Sequence, residues 1–197
     1  MLIRSFYEDF WADAPAAEVP YAWERRRKLL LGEARRGERV LDLGCGEGHF
    51  LRALREAGAD PVGVEIAEAA VKRARSNVPG ADVRLTEPDG SLPLGHNEID
   101  LIWCSEVLEH IPDVGHALLE MRRVLKRGGR ALLTVPYHGR AYAMLLALRF
   151  ERHFDPLGQH VRFFTRRSLT TALNHAGFEP VQVSVSWPML VARAERP

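Results

Sequence analysis

The chain of 197 residues has only two cysteines, Cys45 and Cys104, which excludes a disulfide framework as its source of stability and suits a reducing, cytoplasmic compartment. Charge of either sign is nearly balanced, with 27 basic against 26 acidic residues and a formal net charge of +1. A domain that neutralises phosphates normally carries a basic excess, so nucleic acid is not expected as a partner. The sequence also lacks an apolar run near the ~20 residues that span a bilayer and a recognisable secretory signal. Repeats and low-complexity linkers are absent as well. The local basic run Arg25-Arg26-Arg27-Lys28, with Arg35-Arg36, reads as the solvated face of a helix. A hydrophobic share of 46% with 27% charged residues is ordinary globular usage, and the length suits one domain over 1–197.

What is present is concentrated between Val40 and Phe50. Val40-Leu41-Asp42-Leu43 suits a parallel strand covered on both faces. It runs directly into Gly44-Cys45-Gly46-Glu47-Gly48, whose glycines allow a sharp turn and close approach of backbone to a ligand. A dinucleotide-binding turn would place its third glycine at position 49, where this chain has His49. Strand and helix patterns alternate along the chain, which predicts an α/β fold with a mostly parallel sheet. Helices are expected near Tyr21–Ala34, Phe50–Ala57, Glu68–Asn77, Asp113–Lys126 and Arg166–Ala176. Strands are expected near Arg39–Leu43, Val62–Glu65, Asp82–Leu85, Ile99–Cys104 and Arg130–Val135. In such sheets ligands bind off the carboxyl ends of the strands, where Asp42 to Glu47, Glu65 and Cys104 to His110 converge.

From about Arg39 to Arg193 these motifs resemble the class I, Rossmann-like methyltransferases that use S-adenosylmethionine (SAM). The resemblance rests on the glycine turn and on Pro61-Val62-Gly63-Val64-Glu65-Ile66, a strand ending in an acid. It continues through Leu92-Pro93-Leu94 with Ile99-Asp100, the run Asp100 to His110, and Lys126-Arg127-Gly128-Gly129 before Arg130 to Pro136. It implies a doubly wound, seven-stranded sheet with an antiparallel last strand, Phe178–Trp187 and Met189–Ala194 forming the final pair. It also implies that Asp42, Gly44, Cys45 and Gly46 cradle SAM, that Glu65 takes both ribose hydroxyls, and that Ile66 and Cys104 lie against the cofactor. The acid expected at the adenine amino group falls by counting on Pro88, so Asp89 is the preferred substitute, with Glu87 or backbone near Gly90 as alternatives. Both cysteines read as small buried thiols.

The acceptor side is carried by Glu106-Val107-Leu108-Glu109-His110. If that stretch is helical, residues at i, i+3 and i+4 share a face, and two carboxylates with an imidazole form a candidate Mg²⁺ or Mn²⁺ site. The pattern is similar to the metal site of ubiquinone-pathway O-methyltransferases and of small-RNA 2′-O-methyltransferases, which implies completion by a downstream histidine, here His160. Without a metal, His110 or His160 is the candidate general base, because imidazole titrates near neutrality. Two segments decorate the core. The first, 1–37, is a cap rich in aromatics (Phe6, Tyr7, Phe10, Trp11), and the second, 137–164, is a lid. Within the lid, Ala141 to Phe150 is apolar nearly all round and suits burial or contact with a membrane surface. The expected activity is methyl transfer to an oxygen of a small metabolite or lipid-linked intermediate. RNA 2′-O-methylation and a non-catalytic SAM-binding scaffold are the alternatives.

Overall fold

The computed structural model describes residues 2–13, 19–137 and 162–197. Its centre is a seven-stranded sheet in the order β3-β2-β1-β4-β5-β7-β6. The strands are β1 (Arg39–Leu43), β2 (Asp60–Glu65), β3 (Asp82–Leu85), β4 (Ile99–Ser105), β5 (Leu125–Pro136), β6 (Val181–Ser186) and β7 (Met189–Glu195). β1 to β5 are parallel, while β7 runs antiparallel to both β5 and β6. The sheet predicted from the sequence is therefore the one found. Its strand order reverses between β1 and β4, and such a switch point opens a crevice at the strand ends.

The helices are α1 (Leu2–Asp13), α2 (Trp23–Glu33), α3 (His49–Glu56), α4 (Glu68–Asn77), α5 (Val114–Val124) and α6 (Arg166–His175). α3 buries Phe50, Leu51, Ala53 and Leu54 and starts at Gly48, whose φ of +91° is open to glycine at no steric cost. α5 buries Val114, Ala117, Leu118, Met121 and Val124, a helical spacing, and Asp113 caps it by accepting from the His116 amide. α6 opens on a reciprocal Thr165–Ser168 capping pair.

Alternation along the strands sorts the core into layers. Leu41, Leu43, Ile102, Cys104 and Leu133 join the face covered by α5 and α6. Val40, Leu101, Trp103 and Leu132 meet Leu30 of α2 and Phe50 and Leu54 of α3 on the other. Among the described residues no helix is long and apolar enough to cross a membrane.

Three expectations are corrected. The segment before α2 carries a helix of its own, α1, which the aromatic content alone did not reveal. Gly128 and Gly129, expected to precede a strand starting near Arg130, lie inside β5, as an excursion between the Ile99–Leu125 and Leu101–Arg130 pairs where the register shifts. The stretch Glu106 to His110 is not an α-helix: the Glu106 amide still bonds the Thr134 carbonyl beside it, and only Leu108–His110 forms a 3₁₀ turn. Pro112 is the reason, since it disfavours the helical region for the residue before it, and Ile111 is extended at φ −85°, ψ 121°.

Phe178, 1% exposed in the α5–α6 layer, tests this packing. Phe178→Ala is expected to cost about 3–5 kcal/mol, read as a lower urea midpoint with an unchanged slope. A loss below about 1 kcal/mol would contradict the layer described.

Candidate functional site

A cavity of about 270 Å³ opens at the strand ends beside the β1–β4 switch. Its floor is Leu43 and Gly44 at the end of β1, and Val64, Glu65 and Ile66 at the end of β2. One wall is the loop after β3, with Thr86 to Pro88 and Gly90 to Leu92, and the opposite wall is Glu106, Val107, His110 and Ile111 after β4. The roof is α1, through Ile3, Tyr7, Phe10 and Trp11.

The glycines are needed for shape. Gly44 has φ +74°, and a Cβ there would stand 2.4 Å from Val107 Cγ2. Gly46 has φ +51°, and its Cβ would meet the Trp11 ring at 3.0 Å. Glu65 is buried and held by three backbone amides, Oε1 accepting from Ile66 (2.7 Å) and Ala67 (3.2 Å) and Oε2 from Gly46 (3.0 Å). Asp42 lies beneath the turn, 1% exposed, with Oδ2 lacking a hydrogen-bond partner among the described residues.

A polar chain supports the wall after β4. Arg26 of α2 is buried; its Nε donates to Ser105 Oγ at 2.7 Å and its Nη2 to the Ser105 carbonyl at 2.9 Å. Ser105 Oγ is 2.6 Å from Thr134 Oγ1, which donates to Glu106 Oε1 at 2.8 Å. The Arg26 guanidinium also lies 5.1 Å from the centre of the Phe50 ring, in cation–π range. Arg26 is thus the exception in a run read as solvated. The signal was its spacing from Trp23 and Leu30, three and four residues away on one helix face.

α1 is attached by polar contacts. Glu8 caps the start of α4, accepting from the amides of Glu68 (2.5 Å) and Ala69 (3.0 Å). Arg4 donates to the Thr86 carbonyl at 2.6 Å and pairs with Glu87 at 3.1 Å. The Tyr7 ring stands edge-on to His110, centroids 6.0 Å apart.

Of the residues expected to hold the cofactor, Gly44, Glu65 and Ile66 line the cavity, while Asp42, Cys45, Gly46, Asp89 and Cys104 are not part of its lining. The Asp89 carboxylate turns back to accept from the Ser91 amide at 2.8 Å and is not part of the lining, whereas Glu87 is. Cys45 packs into the layer under α4 with Leu51 and Val71, and Cys104 into the layer under α5. Burial pushes both thiols up, away from reactivity.

The shared metal face expected of Glu106, Glu109 and His110 is not formed. Glu106 sits at φ +56° facing Thr134, and Glu109 is 1% exposed beneath His110, its Oε1 3.7 Å from Nε2. Among the described residues no group of three or more His, Cys, Asp or Glu side chains is placed to hold a metal ion. His160 and the apolar stretch 141–150 lie outside the described residues.

A methyltransferase-domain family model matches residues 16–183. The chain is 27% identical to the ubiquinone biosynthesis O-methyltransferase of Thiobacillus denitrificans over 156 residues, 75% of this chain and 67% of that one. It is 34% identical to the 27-O-demethylrifamycin SV methyltransferase of Amycolatopsis mediterranei over 140 residues, 66% of this chain and 50% of that one. The fold is shared with an S-adenosylmethionine-dependent methyltransferase of Mesorhizobium loti, with a TM-score of 0.70 at 22% identity, covering 88% and 97% of the two chains. The chain belongs to the class I SAM-dependent methyltransferase family. It spans 32 to 67% of the length of the first curated relatives it matches.

Four acids gather at these strand ends, and burial dominates each. It pushes Asp42 up to about 7 against the pull of Arg26, and Glu109 to about 8 with Glu106 adding to it. Glu65 and Glu106 are raised as well. An unfolded carboxyl titrates near pH ~4, so the folded chain binds these protons more tightly. The penalty is absent below that pH and grows as pH rises to about 8. The thermal midpoint of the ligand-free chain is therefore expected to fall between about pH 5.5 and pH 8.5, and Glu109→Gln should flatten the slope. Calorimetry across a pH series checks this, and a midpoint that climbs with pH would contradict it.

Proposed function

We propose that this chain transfers the methyl group of SAM to an oxygen of a small, largely apolar acceptor. The observation that carries the reading is the make-up of one cavity. Glu65 and the glycine turn face it on one side, while Ile3, Tyr7, Phe10, Val107, His110 and Ile111 face it on the other.

The residues present fit the cofactor. The unpartnered oxygen of Asp42 suits an ammonium group. Glu65 Oε2, which accepts only from the Gly46 amide, retains acceptor capacity for a ribose hydroxyl. When bound, SAM supplies an electrophilic methyl. This chain has to orient the acceptor oxygen in line with it, exclude water and take a proton.

His110 is our candidate for the proton. It lines the cavity, directly above the buried Glu109 carboxyl, whose Oε1 is 3.7 Å from its Nε2. The Thr134 contact engages Glu106, so this reading needs no Mg²⁺ or Mn²⁺. The near-neutral charge and two O-methyltransferase relatives favour a small acceptor over RNA. The free, buried cysteines agree with a reducing cytoplasm.

Calorimetry with S-adenosylhomocysteine is expected to find one site, lost in Gly44→Val and weakened in Glu65→Ala; unchanged affinity in both variants would overturn the cofactor reading. Incubation with labelled SAM and a metabolite extract should add one methyl to an oxygen of a small molecule. Label entering an RNA oligonucleotide instead would overturn the acceptor class. With that acceptor in hand, His110→Ala should lower kcat by roughly 10²–10⁴-fold while leaving S-adenosylhomocysteine affinity unchanged. A chelator should leave turnover intact, whereas a loss restored by Mg²⁺ or Mn²⁺ would return the metal to the site.

A further inference from the structure

The hydrogen bonds behind the cavity wall after β4 run in a forced direction. A guanidinium only donates, so Arg26 Nε, 2.7 Å from Ser105 Oγ, engages a lone pair of that hydroxyl. Ser105 then gives its one proton to Thr134 Oγ1 at 2.6 Å, and Thr134 gives its own to Glu106 Oε1 at 2.8 Å. The three supporting residues are all buried. A buried polar chain is favourable only when each member is satisfied, and proton transfer at His110 makes no use of this one. What the chain delivers is one carboxyl group in a fixed direction.

Glu106 is held in an unusual backbone state, at φ +56°. Such conformations persist where the surroundings impose them, and they cluster at functional sites. Here Thr134 grips the residue twice, since the Glu106 amide also donates to the Thr134 carbonyl at 2.9 Å. With Oε1 bound to Thr134, Oε2 has no hydrogen-bond partner among the described residues, and Glu106 lines the cavity. Burial pushes the carboxyl up, while the Thr134 bond and the Arg26 guanidinium oppose this.

The sheet order says what this oxygen meets. Glu65 ends β2 and the glycine turn follows β1, whereas Glu106 follows β4 and its support Thr134 lies on β5. With the ribose at Glu65 and the rest of SAM along the end of β1, Glu106 stands beyond the cofactor, on the same wall as His110. His110 takes the proton of the reacting hydroxyl, so Glu106 is left for a different group. We infer that Glu106 Oε2 anchors the methyl acceptor through a second donor, which makes the substrate a compound with at least two hydroxyl or amino groups, one methylated and one held. Thr134 is the positioning residue that aims the anchor. This inference rests on the methyl-transfer reading above and names its acceptor class.

The test follows label from SAM into a metabolite extract and purifies the component that takes it. The labelled product should react with acetic anhydride at one or more remaining O–H or N–H groups, counted by mass; a product that takes up no acetyl group would overturn the inference. With the purified component as substrate, Glu106→Gln should raise KM by about tenfold or more, with kcat and S-adenosylhomocysteine affinity within a few-fold, the mark of a binding contact kept through the reaction. Thr134→Val should shift KM in the same direction, and Thr134→Ser, which restores the hydroxyl, should return it. A fall in kcat at unchanged KM, or a loss of S-adenosylhomocysteine affinity in Glu106→Gln, would put Glu106 on the proton or on the cofactor and overturn the anchor. Wild type that labels nothing in the extract would overturn the methyl-transfer reading and this inference with it, whereas turnover indifferent to Glu106 overturns this inference alone.

Discussion

A buried cation under a cluster of buried acids is the constraint on which this site depends. Asp42, Glu65, Glu106 and Glu109 converge where β1, β2 and β4 end, and the Arg26 guanidinium is buried among them. Burying a charge is costly unless it is paired and hydrogen-bonded. Arg26 meets that condition with contacts to Ser105, to the Tyr21 carbonyl and to the Phe50 ring. Those bonds draw α2 onto the end of β4, and through Ser105 and Thr134 they fix the direction of Glu106. The position of the cavity wall after β4 is thus set by a residue that is not part of the cavity lining.

The same cluster explains why the cavity suits a ligand carrying positive charge. The acids outnumber the guanidinium beside them, and burial raises every one of them. An ammonium and a sulfonium entering beside Asp42 and Glu65 would stabilise the ionised carboxylates. The protein thereby holds an electrostatic deficit that its cofactor can fill.

Much of this was legible in the sequence. β1, the glycine turn and α3 follow from apolar runs broken at fixed positions by Gly44, Gly46 and Gly48, and burial on both faces leaves such strands little freedom of register. Glu65 was singled out by the family resemblance, as the acid that ends β2, and it lies in the cavity lining. The direction of Asp89 could not be read, because spacing does not say whether a short carboxylate faces a ligand or folds back on the Ser91 amide. The periodicity of Glu106, Glu109 and His110 suggested one helical face, and the contrary signal was Pro112, two residues further on. Arg26 was hidden by its neighbours, since a run of four basic residues conceals the one that points inward.

Among the described residues, no side chain of α1 belongs to the three buried apolar clusters. What holds it is Glu8 on the bare end of α4, Arg4 on the Thr86 carbonyl, and the rings it lowers toward the cavity. Elements held this way occupy the low end of the range of local stabilities. Lifting α1 would break a few polar contacts while leaving the sheet and its layers intact, so its amides should exchange with solvent long before those of β1 or β4. Substitution at Glu8 or Arg4 should therefore raise the exchange rate of the α1 amides without altering a single residue of the pocket floor.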